Sequence, residues 1–531
     1  MSALVHARAD DARPGLRFED RTWSWAEHTA EASARAAWYA EQRTGDGPPH
    51  VGVLLENVPE FSFWLAAAAL GRFVLVGLNA TRRGEEMAAD IRSTACGLVI
   101  TDATGKELLE GLDLGGVRVV DAEATSYEPG PLPPDDATVD DLYLLIFTSG
   151  TTGAPKAVRC SQGKIATYGY GMVQRVALTP DDVTYVSMPL FHSNAVIAGW
   201  APSVAVGATI ALRRKFSASQ FIPDIRRYGA TFANYVGTPL SYVLAQPEQP
   251  DDADNPLQRV FGNEGAPADL ERFATRFGCQ VIDGFGSTEG GISITRTPET
   301  PPGSLGVGVG DIRVLHPGTE EECAAAQLDQ RGRLTNPDEA VGELVNMDGV
   351  GGFEGYWDAE EDTAARGRDG RYWSGDLGYR DDDGFLYFAG RSLDRLRVGG
   401  ENFPAAPVAR LLTRHPDVVE AVVYAVPDPV AGDQVMAAVV PAEGFDPERF
   451  AHWVAQQPDC SPQWVPRFVR VVPDPPRTPT GKIVTRALAA QRWEAQDLWC
   501  RDGADLILRP FTSADVVALQ AEFVAAGRTL M

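Results

Sequence analysis

Phe147-Thr148-Ser149-Gly150-Thr151-Thr152-Gly153-Ala154-Pro155-Lys156 follows directly on the apolar run Tyr143 to Ile146. A strand opening into a loop of hydroxyls, two glycines and one lysine allows the close backbone approach that a polyphosphate requires. It is not a Walker loop, which needs four residues between its glycines and a Gly-Lys-Ser/Thr ending; here Lys156 follows a proline. Upstream, helical stretches (Trp25 to Glu41, Phe61 to Ala69, Glu85 to Arg92) alternate with short apolar strands (Val51 to Leu55, Phe73 to Val76, Gly97 to Thr101). This β-α-β rhythm predicts an α/β fold whose mixed or parallel sheets are covered by helices.

The chain has 531 residues, too many for one hydrophobic core. Pro- and Asp-rich stretches, Ser126 to Asp141 and Pro247 to Pro256, read as exposed connectors without a binding role. From about Leu393 the pattern changes to short strands (Val418 to Ala425, Val435 to Val440), an amphipathic segment (Pro447 to Gln456) and polar turns. A large N-terminal domain, 1–392, and a small α+β C-terminal domain, 393–531, are therefore expected.

Forty-seven Lys and Arg against 73 Asp and Glu leave a net charge of −26. Such a surface repels nucleic acid and anionic bilayers. The six cysteines stand singly with no metal-ligand spacing to His, as free thiols of a reducing compartment do. The stretch Phe61 to Leu78 is interrupted by Arg72 and shorter than the ~20 apolar residues of a membrane span. Residues 1–15 have no apolar signal-peptide core, so a cytoplasmic location is expected.

The ten-residue string resembles the phosphate-loop signature of the adenylate-forming superfamily, which includes acyl-CoA synthetases, peptide-synthetase adenylation domains and beetle luciferases. Further segments match in the family's order from about Arg17 to Lys482. Met188-Pro189-Leu190-Phe191-His192 resembles the segment whose histidine lines the carboxylate-substrate side of the site. Taken alone, a His beside Phe is more often a satisfied core residue. Gly265-Ala266-Pro267 is similar to the turn beside adenine, with Glu264 where the family has glycine. Asp283-Gly284-Phe285-Gly286-Ser287-Thr288-Glu289 resembles the next motif. It implies that Phe285 stacks on adenine, Thr288 hydrogen-bonds the α-phosphate, and Glu289, with Thr152, holds Mg²⁺. Tyr372-Trp373-Ser374-Gly375-Asp376-Leu377-Gly378 is similar to the ribose motif, with Asp376 on both hydroxyls. Gly390-Arg391 with Asp394 and Arg397 resembles the opening of the hinge motif, Arg391 also reaching the ribose. Pro479-Thr480-Gly481-Lys482 resembles the small-lobe loop that brings the adenylation lysine, Lys482, over the site.

The sequence departs from the family at Leu393, where the hinge residue is usually Asp or Lys, and at Ala405-Ala406-Pro407-Val408-Ala409, which replaces Pro-x-Glu-Val-Glu. Gly400, beside Gly399, keeps the glycine that lines the family's pantetheine tunnel. This hinge region, with Asp497-Leu498-Trp499 and Phe511, is most similar to fatty-acid-transport-protein, bulky-acid and actinobacterial fatty-acyl ligases. The resemblance implies an ATP- and Mg²⁺-dependent ligase. It would convert a hydrophobic carboxylic acid, a fatty acid or a bulky natural-product acid, to acyl-AMP and pyrophosphate, and then to the CoA thioester. Two other readings stay open: an adenylating enzyme that passes acyl-AMP to an acyltransferase or carrier thiol in trans, and a luciferase-like oxidative enzyme. Because several anions must converge, the cations Lys156, Arg391 and Lys482 carry the electrostatic requirement. Ala195, Gly199, Trp200, Tyr235, Gly237 and Thr238 are expected to wall the acyl pocket, since they follow His192 or belong to the expected strand Phe232 to Thr238. Trp200 reads equally well as core.

Overall fold

The computed structural model describes residues 1–43, 47–148, 155–237, 239–263, 265, 267–301, 303–328, 334–391, 395–399, 401–430, 432–458, 460–476, 485–503, 505–526 and 528. The chain divides into two compact units. One comprises Met1–Ala80, Met87–Phe147 and Ala157–Gly390; the other comprises Thr81–Glu86, Thr148–Lys156 and Arg391–Met531.

The expected rhythm builds a six-stranded sheet in the order Arg118–Asp121, Leu98–Thr101, His50–Leu54, Val74–Gly77, Leu142–Thr148, Lys156–Ser161. His50–Leu54 runs parallel to both of its neighbours, and Val74–Gly77 runs parallel to Leu142–Thr148. The helix Trp25–Gln42 starts at a reciprocal cap: Glu27 N donates to Ser24 Oγ at 3.1 Å, and Ser24 N donates to Glu27 Oε2 at 2.7 Å. The helix Pro59–Gly71 is apolar all round and its residues 61–70 are buried on every side, as such a sequence must be. It begins two residues before the expected Phe61 because Pro59, which has no N–H to satisfy, fits the first helical position.

A nine-stranded sheet runs in the order Val307–Gly308, Ser293–Thr295, Gln280–Gly286, Arg259–Asn263, Phe232–Val236, Val183–Val186, Thr209–Leu212, Pro14–Phe18, Arg21–Ser24. Its central pairings are parallel and its outermost ones antiparallel. The loops at the ends of the parallel strands, after Val186, Val236, Asn263 and Gly286, carry the motif residues, as open α/β sheets arrange their ligand sites. A further four-stranded sheet, Ile312–Leu315, Gly342–Asn346, Tyr372–Arg380, Leu386–Arg391, carries Asp376.

The connectors are mostly exposed, with inward-facing anchors at several points. Arg35 lies over the Tyr127 ring at 4.3 Å, and Asp252 turns inward to Arg276 at 2.6 Å. All six cysteines are free thiols, five of them buried. Among the described residues, no helix is long and apolar enough to cross a membrane.

In the second unit a five-stranded sheet runs Val418–Pro427, Asp433–Pro441, Phe468–Val471, Leu498–Cys500, Arg509–Pro510. Alternation along Asp433–Pro441 sends Val435, Ala437 and Val439 to one core and Met436 and Ala438 to the other. The helices Ala405–Thr413 and Pro447–Ala455 contribute to the first core, and Thr485–Gln491 and Ser513–Ala525 to the second. This is an α+β lobe.

Candidate active site

Strand Gln280–Gly286 delivers Asp283 and runs into the turn Ser287 to Gly290, closed by Gly290 N donating to Ser287 O at 3.1 Å. Thr288 Oγ1 and Ser193 Oγ share a hydrogen bond of 2.8 Å, which ties the turn to the residue after His192. Glu289, buried at 7% exposure, accepts on Oε1 from the Tyr356 hydroxyl at 3.0 Å. The buried Lys164 ammonium donates to the Glu289 carbonyl at 3.0 Å, and Tyr168 Oη donates to the Gly290 carbonyl at 3.2 Å. Gly290 (φ +77°) has no room for a side chain, since a Cβ there would stand 2.1 Å from the Tyr168 hydroxyl.

The His192 segment is held by Asn57, whose amide donates to Met188 O at 2.8 Å and accepts from Leu190 N at 2.8 Å. His192 is half-buried, its ring tilted on Phe191 at 4.5 Å. Burial pushes its pKa down to about 4, so the ring is neutral near pH 7. The following Ala195–Trp200 is a π-helix, the rare wide turn that recurs at functional sites.

Asp283 Oδ2 accepts from Tyr235 Oη at 2.6 Å and from Gly265 N at 3.1 Å. Burial pushes its pKa up to about 6, against the opposing pull of those two donors and of Arg296 and Arg175. Asn263 joins three of the predicted segments: its amide donates to Gly284 O at 2.9 Å, and its carbonyl accepts from Gly237 N at 2.9 Å. Phe285 is buried, with its ring 5.9 Å from that of Phe388.

In the neighbouring sheet Asp376 is buried, and its N–H donates to Ser374 Oγ at 3.1 Å. Gly375 N donates to Glu343 Oε1 at 2.6 Å. Gly375 (φ +72°) cannot carry a Cβ, which would lie 2.3 Å from Arg366 Nη1. Arg366 in turn donates to Trp373 O at 3.0 Å.

The structure thus brings Thr288, Glu289, Asp283, Gly284, Gly265, Tyr235 and Gly237 into one connected set with the His192 segment. Trp200, which reads equally well as pocket wall or core, is buried, with Nε1 donating to Ser62 Oγ at 2.9 Å. Ala195 and Gly199 are buried in the π-helix, where a Cβ on Gly199 would stand 2.9 Å from Val186 Cγ2. Strand Phe232–Val236 ends before the expected Thr238. Thr148 closes the strand before the quoted loop, and the buried Lys156 opens the next. Ser149, Gly150, Thr151, Thr152, Gly153, Thr238, Ala266, Leu393, Asp394, Gly400 and Lys482 lie outside the described residues, as do the side chains of Pro267 and Arg391. The sequence reading did not name Asn57, Ser193, Asn263, Lys164, Tyr356 or Arg366; their residue types carry no signal until the fold brings them under the motif turns.

One buried carboxylate with a hydroxyl on one oxygen is the protein share that Mg²⁺ takes when it is bound together with nucleotide phosphates, and Glu289 fits it. Among the described residues no cluster of three or more His, Cys, Asp or Glu is found.

The description "AMP-binding enzyme" matches residues 5–357, and "AMP-binding enzyme C-terminal domain" matches residues 408–482. A medium/long-chain-fatty-acid–CoA ligase, FadD17, of Mycobacterium marinum is 51% identical over 491 residues, 91% of this chain and 94% of its own. A steroid-22-oyl-CoA synthetase of Rhodococcus jostii is 47% identical over 544 residues, 99% of this chain and 98% of its own. A solved malonyl-CoA ligase with methylmalonyl-CoA and AMP bound is 28% identical with a TM-score of 0.71, over 88% of this chain and 97% of its own. An o-succinylbenzoate CoA synthetase of Bacillus subtilis, 24% identical, shares the fold with a TM-score of 0.78 over 93% of this chain and 98% of its own. With both lobes matched in chain order, and relatives about half identical along nearly its whole length, this chain belongs to the AMP-binding enzyme family, the adenylate-forming superfamily.

Proposed function

We propose that this chain is a cytoplasmic acyl-CoA ligase for a hydrophobic carboxylic acid, of medium or long chain or polycyclic. The observation that carries this reading is the turn Ser287 to Gly290, where a hydroxyl and a carboxylate are both locked beside the neutral His192 segment. The relatives act on fatty and steroid acids by name, which supports a hydrophobic substrate.

In the first half-reaction a carboxylate oxygen attacks the α-phosphorus of ATP, the bond to the pyrophosphate oxygen breaks, and acyl-AMP remains. Lys156 holds the β- and γ-phosphates, Thr288 donates to the α-phosphate, and Lys482 bridges the carboxylate and the α-phosphate. Phe285 packs on adenine, and Asp376 and Arg391 hold the ribose. Bound Mg²⁺ neutralises charge on the phosphates, and Glu289 supplies its protein oxygen. His192, uncharged, borders the acid without adding a charge that would pull the carboxylate away from Lys482. In the second half-reaction the 393–531 lobe turns about Leu393 and Asp394 against the 1–392 lobe, and Gly399 and Gly400 line the path of the CoA thiol. The thiol sulfur bonds to the acyl carbon, its proton leaves, and AMP departs.

Acid-dependent ATP–pyrophosphate exchange, run beside CoA-ester formation over fatty, aromatic and polycyclic acids, tests this reading. Pyrophosphate release without thioester would instead assign the chain to passing acyl-AMP to a carrier thiol or acyltransferase in trans. Lys482→Ala should abolish the exchange, by about 10³-fold or more, with an unchanged melting temperature. An exchange rate close to that of the unaltered enzyme would overturn the role given to Lys482.

A further inference from the structure

Beneath the candidate metal carboxylate lies a set of buried polar side chains that none of the roles above uses. Glu289, Tyr356, Arg366 and Tyr372 are all at most 7% exposed. The Tyr356 hydroxyl donates to Glu289 Oε1 at 3.0 Å. The guanidinium of Arg366 acts electrostatically on Glu289, Tyr356 and Tyr372 together, and its own pKa is raised in spite of burial.

Tyr356 is itself rigidly held. Val158 and Tyr356 form an antiparallel bridge, Arg159 N donates to Gly355 O at 3.0 Å, and Trp357 N donates to Ala157 O at 2.8 Å. Tyr356 N donates to Thr363 Oγ1 at 2.9 Å. The residue that grips Glu289 is therefore sewn to the strand Lys156–Ser161, which emerges from the quoted phosphate loop. Arg366 reaches the Asp376 segment through the Trp373 carbonyl, and Gly375 is what lets it fit. Three motif segments that are far apart in sequence share this one buried network.

We propose that Tyr356 is a positioning residue for Glu289: its hydroxyl fixes the rotation of the carboxylate so that the metal–phosphate unit of ATP meets a preset oxygen, with Arg366 as the supporting charge. This rests on the reading of Glu289 as the metal carboxylate. A carboxylate that must find its orientation on each binding event loses affinity for the ion, and partners of this kind are worth about 10- to 100-fold in metal affinity. The effect belongs to the metal-dependent part of ATP binding and not to ATP or acid binding as such.

The test uses the full chain and Mn²⁺, whose free concentration is read by electron paramagnetic resonance, titrated with ATP in the absence of acid so that no turnover occurs. Tyr356→Phe removes one oxygen and should weaken Mn·ATP binding about tenfold, leave ATP binding in EDTA within about twofold, and raise the Mg²⁺ concentration for half-maximal exchange by about tenfold. In a Glu289→Gln background the same change should add less than about twofold, because Tyr356 acts through Glu289. If Tyr356→Phe folds poorly, Arg366→Lys, judged by the same titration, tests the support and should shift metal affinity in the same direction. An unchanged metal dependence in Tyr356→Phe beside a large change in Glu289→Gln would overturn the positioning role alone. An unchanged metal dependence in Glu289→Gln would overturn both that role and the reading of Glu289.

Discussion

Asp283 shows how much a single residue of the site contributes when no ligand is present. Its Oδ2 takes two donors, yet its pKa stands at about 6, since desolvation outweighs them. A carboxyl whose folded pKa lies above its unfolded value of about 3.9 binds its proton more tightly in the native state. Its stabilising contribution is therefore complete below about pH 4 and is lost as pH rises through about 6. The loss amounts to about 3 kcal/mol at most. Asp283→Asn keeps an acceptor for Tyr235 and cannot ionise. Denaturant unfolding of both proteins at pH 4.5 and 7 should show the variant gaining about 1–3 kcal/mol relative to the parent over that interval. Parallel pH profiles would remove the burden from Asp283. The same burial would favour a bound group that donates to Asp283, because a donor lowers a cost the apo-protein carries.

At the scale of elements, the His192 segment depends on a residue from a different part of the chain. Asn57 imitates a strand neighbour, accepting from Leu190 N and donating to Met188 O, both at 2.8 Å. Asn57→Ala leaves a buried N–H and C=O without these partners and should cost about 2–4 kcal/mol, read as a lower denaturation midpoint, with a larger KM for the acid than for ATP. Equal changes in both KM values would place the clamp's effect outside the acid side. This contact also marks where sequence reading stops. Helices and strands such as Trp25–Gln42 and Val74–Gly77 were legible because apolar period and caps are local, and their ends fell within a few residues. The motif turns were legible because their glycines and hydroxyls are consecutive. Asn57 and Met188 stand 131 residues apart, and Tyr356 and Glu289 stand 67 apart. No spacing rule connects such pairs. The π-helix Ala195–Trp200 was equally hidden, since a change in hydrogen-bond step leaves no mark on an all-apolar run. Trp200, open in the sequence between pocket wall and core, is buried with its indole N–H on Ser62 of the helix Pro59–Gly71, a partner no local pattern could name.

At the scale of the whole molecule, a net charge of −26 opposes substrates that are all anions. The buried cations described here do little to offset this at a distance. Lys164 is spent on the carbonyl of Glu289 and Arg366 on that of Trp373, so each acts locally inside the protein. The approach of ATP and of a carboxylate is therefore governed by the acidic exterior until the last few ångströms. Exterior charges act over a Debye length of about 30 Å at 0.01 M salt and about 10 Å at 0.1 M. Raising ionic strength across that range should remove repulsion faster than it weakens contacts inside the site, which are shorter and screened less. The expected outcome is a rise of about 1.5- to 3-fold in kcat/KM for ATP between 10 and 100 mM NaCl, with kcat nearly constant. A neutral viscogen at matched viscosity separates this from a diffusion effect. A steep fall in kcat/KM over the same interval would mean that a local positive field around Lys156, Arg391 and Lys482 extends beyond the site and outweighs the acidic surface.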